Sequence, residues 1–105
     1  MATKAKLRGS FGSLSDTLAY RFDPNFPPDL SSRWLGVMGF ASTIAHRTVE
    51  WGKLPDQSTS FDPVIAHLDD ATHAIVVADT NPERMAALDK AEAALRELNA
   101  LLDAA

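Results

Sequence analysis

The sequence predicts an all-α protein, a small bundle of three main helices preceded by a short N-terminal helix or extended arm. Three observations lead there. The chain has 105 residues, 46% of them apolar, and no cysteine, which is enough for one modest core and excludes a disulfide scaffold. Apolar residues recur with helical period over three long stretches. Two of those stretches open on Asp62-Pro63 and Asn81-Pro82, a capping side chain followed by a proline where a missing amide costs nothing.

Residues 1–28 read as a flexible basic arm. Residues 1–12 mix Lys, Arg, Gly and Ser with scattered apolar groups, a composition expected to be mobile without a partner. Ser13-Leu14-Ser15-Asp16 resembles a capping box, opening a short helix from about Leu14 to Phe22 with Leu14 and Leu18 on one side. Asp23-Pro24-Asn25-Phe26-Pro27-Pro28 follows. Its three prolines remove amide donors and favour extended backbone, leaving Phe22 and Phe26 as anchors, onto this chain's own body or onto another.

The bundle is expected over residues 29–105. Its central element is one long helix in Pro28–Leu54, starting near Asp29 or Ser31 and ending at Gly52 before Pro55. At about 100° per residue, Trp34, Leu35, Val37, Met38, Phe40, Ala41, Ile44, Ala45, Val49 and Trp51 cover an arc of roughly 220°. A surface helix needs a stripe only ~100° wide. The opposite arc holds Gly36, Gly39, Thr43, His46, Arg47 and Glu50. Each interior glycine costs about 1 kcal/mol relative to alanine. Gly36 and Gly39 therefore predict a close approach to that face, by another helix of this chain or by a symmetry mate.

After a polar loop, Lys53 to Ser60, the pattern Val64, Ile65, Leu68, Ala71, Ile75, Ala78 predicts a helix to Asp79. The β-branched run Ile75-Val76-Val77 makes 72–79 a strand alternative, rejected because no second strand of similar quality exists to pair with it. The last helix, Pro82 to about Leu102, places Leu88, Ala91, Leu95, Leu98 and Leu102 on a coiled-coil-like seam, with Glu92 and Arg96 as an i,i+4 pair.

Charge and motifs narrow the function classes. Net charge is −4, yet residues 1–21 carry four basic side chains against Asp16 alone. A basic head on an acidic body disfavours a nucleic-acid-binding surface, which needs a clustered basic face. No apolar run reaches the ~18–20 residues that span a bilayer, so no membrane is expected and the cytoplasm is the expected location. No nucleophile elbow or phosphate-binding glycine motif is present, so no catalytic residue is assigned and no cofactor is expected.

Two functions fit. The first is a non-catalytic interaction module, meaning an accessory subunit, assembly factor or small regulator or inhibitor. Its partner is a larger protein or a second copy, met through Phe22, Phe26, Trp34, Gly36, Gly39, Phe40 and Trp51. The second is a helical metal- or ligand-binding protein, enzymes included, built from His46, Glu50, His67 and Asp70 on facing helices. Spacing weakens it, because His67 and His73 point about 120° apart.

Overall fold

The computed structural model describes residues 1–105 and is all-α apart from one two-residue ladder. Four long helices, α1 (Lys4–Arg21), α2 (Pro28–Ala45), α4 (Phe61–Val77) and α5 (Asn81–Asp103), surround one core. Between α2 and α4 come a single short helix, α3 (Thr48–Lys53), and strand β2 (Gln57–Ser58), which pairs antiparallel with β1 (Ala2–Thr3).

Directions follow from individual contacts. Trp34, early in α2, donates its indole N–H to the carbonyl of Leu18, late in α1, at 2.8 Å, so α1 and α2 run antiparallel. Arg33 reaches Asp89 and Glu92 while Arg47 reaches Asn99 and Asp103, so α2 and α5 run parallel. His67–Glu97 and Asp70–Lys90 fix α4 and α5 as antiparallel. A single cluster of 24 buried apolar side chains fills the centre, drawn from every helix.

The first difference from the sequence expectation is the N-terminal segment. Residues 4–12 are the first half of an 18-residue helix, and the chain has four long helices where three were expected. Leu7, Phe11, Leu14 and Leu18 lie four, three and four residues apart and are all buried, which binds α1 to the core as firmly as its neighbours. The cap is Thr3, whose hydroxyl accepts from the Lys6 amide at 3.1 Å, so Ser13–Asp16 lies mid-helix and caps nothing. Lys4 donates its ammonium to the carbonyls of Leu54 and Trp51, which fastens the chain's start to the end of α3.

The second difference is a break in the long helix. The expected Pro28–Leu54 element stops at Ala45 and resumes at Thr48. The last backbone bonds of α2 run from the His46 amide to Ser42 O and from the Arg47 amide to Ile44 O, and side chains add to both carbonyls. His46 Nδ1 donates to Ser42 O at 2.7 Å, and the Trp51 indole donates to Ile44 O at 3.0 Å. The turn brings Trp51 against Phe11, ring centroids 5.7 Å apart, and closes that end of the core. It also leaves Val49 exposed, out of phase with α2. Gly52 lies inside α3 with no left-handed backbone, and the chain leaves the helix at Leu54, extended ahead of Pro55.

The remaining elements follow their local chemistry. Residues 72–77 are helical, and the stretch from Ala74 to Val77 ends α4 without any strand partner. The α5 cap is Thr80, one residue before the Asn81 expected. The Thr80 hydroxyl accepts from the Glu83 amide at 3.2 Å, and the Glu83 carboxylate accepts from the Thr80 amide at 3.0 Å, a complete capping box. That Thr80 hydroxyl and the neighbouring amides hold the Glu83 carboxyl below its ordinary value.

Arg33 ties α2 to α5. It pairs with Asp89 at 3.0 Å, and its bond to Glu92 at 2.7 Å holds the Glu92 carboxyl below its ordinary 4.5. A carboxyl lowered by folding contributes stability above its unfolded value, and that contribution is lost as pH falls through the lowered one. Urea unfolding should therefore show stability declining below about pH 4.5. Glu92→Gln should flatten that acid limb and leave the m-value unchanged.

Candidate functional site

The expected site residues separate into three groups. Trp34 and Trp51 are 1% and 2% exposed, with both indole donors bonded inside the chain. Both belong to the core: Trp34 is covered by α1 and Phe26, and the 46–47 turn brings Trp51 against Phe11 of α1. Phe22, Phe26 and Phe40 are half-buried against that core. Phe26 sits between Phe22 and Trp34, at 6.0 and 5.1 Å, with the Arg84 guanidinium 5.4 Å from its ring centroid. The proline-rich link is folded back for this by the Asp23 side chain, which accepts from the Asn25 amide at 2.8 Å. These aromatics anchor the link to its own molecule.

Gly36 and Gly39 remain at the surface. A Cβ built at either position meets nothing within 4 Å, although Gly36 lines a groove between α2 and α5 with Met85 and Glu92. The close intramolecular crossing expected from these glycines is absent. A Cβ at Gly9 or Gly12 on α1 likewise meets nothing within 4 Å, with Gly9 exposed and Gly12 half-buried. The sequence reading missed these two by treating residues 1–12 as an arm. The 4-3-4 spacing from Leu7 to Leu18 was the signal that could have found them.

Together the outer sides of α1 and α2 form a face of mostly small side chains, uncharged on α2 and broken on α1 by Arg8 and Asp16. α1 contributes Ala5, Gly9, Gly12 and Ala19, and α2 contributes Leu35, Gly39, Ser42 and Thr43. Residues 34–46 contain no Asp, Glu, Lys or Arg, although Leu35 is 50% exposed and Gly36 and Gly39 are open. Between the two helices runs a groove lined by Ser15, Ala19, Met38, Ala41, Ser42 and Ala45. The Ser15 hydroxyl is buried there without a hydrogen-bond partner. The α4–α5 side is different, with Asp69, Asp70, His73, Lys90 and Arg96 all exposed.

The four expected metal candidates are held apart by their partners. His67 donates Nδ1–H to Glu97 at 2.7 Å, and Lys90 pairs with Asp70 at 3.1 Å, both across the α4–α5 seam. His46 bonds the Ser42 carbonyl, and Glu50 lies 3.6 Å from Arg47. No group of three or more His, Cys, Asp or Glu side chains is arranged to hold a metal ion. Chelator should therefore leave the melting temperature unchanged. A fall in melting temperature, with a stoichiometric ion in elemental analysis, would contradict this geometry.

No helix is long and apolar enough to cross a membrane. Comparison with family models, with curated proteins and with solved structures finds no match for this chain.

Proposed function

We propose that this chain is a non-catalytic protein–protein interaction module, a small helical bundle offering the outer face of α1 and α2 to another protein surface. It belongs with accessory subunits, assembly factors and small regulators. One observation carries the reading. Gly9, Gly12, Gly36 and Gly39 all lie in helix interiors, on the same two helices, and nothing in the monomer packs against any of them. Each lowers helix stability by roughly 0.5–1 kcal/mol relative to alanine. A second surface that must come close to the backbone accounts for all four. The uncharged run 34–46 supports the same reading, because charged residues are depleted where partners meet.

The test is site-specific photo-crosslinking in the native host. A photoreactive side chain at Gly39 should give a discrete adduct of defined mass, and the same group at Asp69 on the α4–α5 side should give none. Equal adducts at both positions, or none at Gly39, would overturn the reading.

A further inference from the structure

We propose that a second copy of this chain docks on α1, in an antiparallel two-fold crossing centred on Gly12 and closed by reciprocal Arg8–Asp16 ion pairs. This rests on the reading of the α1–α2 face as an interaction surface and names its occupant.

The observation is a pattern of charge around the glycines. Arg8, Gly12 and Asp16 are four residues apart, so they form one stripe along α1 in which half-buried Gly12 lies between two exposed charges. Arg8 and Asp16 are both exposed, and neither takes part in any of the chain's seven ion pairs. The Arg8 guanidinium rests 4.9 Å from the centroid of the Trp51 ring, which holds it at this edge of the helix. Two opposite charges without partners therefore flank a helix position that carries no side chain.

A two-fold interface apposes the same patch on both copies, so it must be self-complementary. When two α1 helices cross antiparallel with Gly12 against Gly12, each residue meets the one equally far from Gly12 on the other side. Arg8 then meets Asp16 of the partner subunit, and Asp16 meets the partner's Arg8. Ala5 meets the partner's Ala19. Small side chains lie wherever the backbones are nearest, and opposite charges lie one turn out on each side. A parallel crossing would set Arg8 against the partner's Arg8, so charge selects the antiparallel register. An 18-residue helix is about 27 Å long, and two side by side span about 20 Å. The face thus offers about 500–600 Å² per copy, at the low end for a specific dimer, and predicts association in the micromolar range.

Sedimentation velocity tests this. The wild-type chain should show a concentration-dependent monomer–dimer equilibrium that weakens with added salt. Asp16→Arg and Arg8→Asp should each be monomeric alone, because like charges then face each other. Mixed in equal amounts they should form a heterodimer at least about tenfold tighter than either self-association, since every facing pair is again opposite in sign. Circular dichroism and melting establish that Arg8→Asp, which loses its contact with Trp51, is folded. Should it not fold, Asp16→Arg alone decides, and its dimerising like wild type would overturn the proposal. A wild-type monomer at every concentration, or a mixture that stays monomeric, would also overturn it. If that monomer still gave a foreign-protein adduct at residue 39, the interaction reading would stand and only the second copy would fall.

Discussion

Trp34→Ala should remove most of the chain's stability. The side chain is 1% exposed, packs against Phe26 at 5.1 Å and donates to Leu18 O at 2.8 Å. Truncating a buried tryptophan costs about 3–5 kcal/mol, and the abandoned Leu18 carbonyl adds about 1 kcal/mol. Domains of this size are stable by only about 5–15 kcal/mol, so the variant should be near or past its unfolding midpoint at 37 °C. Trp34→Phe keeps much of the volume and loses the donor, and should cost about half as much. Urea titration followed by far-UV circular dichroism ranks the two. Equal stabilities for Trp34→Ala and wild type would mean that Trp34 is not the joint between α1, α2 and the proline-rich link.

Much of the fold was legible in the sequence because packing and capping spoke together. The seam from Leu88 to Leu102 and the Pro82-Glu83 start placed α5 nearly to the residue. Asp62-Pro63 fell in the first turn of α4, whose N-cap position is Ser60 with no side-chain cap bond, so Asp62 does not cap it. α1 was less legible for a physical reason. Its outer side interleaves Ala5, Gly9, Gly12 and Ser13 with Lys6, Arg8 and Asp16, so little contrast separates the two faces. The glycines that suggested a mobile arm are the same residues that make the surface unusual. The turn at His46–Arg47 has no proline or glycine to announce it. It depends on Trp51 and His46 donating to α2 carbonyls, which no local pattern reveals. Of the candidate face, Gly36 and Gly39 were readable as costly. What they faced depended on tertiary structure.

Replacing Gly9, Gly12, Gly36 and Gly39 together by alanine should stabilise the monomer by about 2–4 kcal/mol. None of the four has a positive φ, and an added Cβ at each enters open space, so helix propensity acts unopposed. The melting temperature should rise by about 8 °C or more at roughly 4–8 °C per kcal/mol. A lower melting temperature would mean that at least one glycine is needed by the monomer's own packing. Stability and association should move in opposite directions in this variant, because the added methyl groups occupy the space that a second surface needs.

Sedimentation velocity of Gly12→Leu beside the wild-type chain tests most directly that this face is shaped for a second surface. A Cβ at residue 12 meets no neighbour in the monomer, and leucine is the better helix former. The account predicts a variant that melts no lower than wild type and sediments as a monomer at concentrations where wild type dimerises. A Gly12→Leu chain that dimerises as readily as wild type would contradict it.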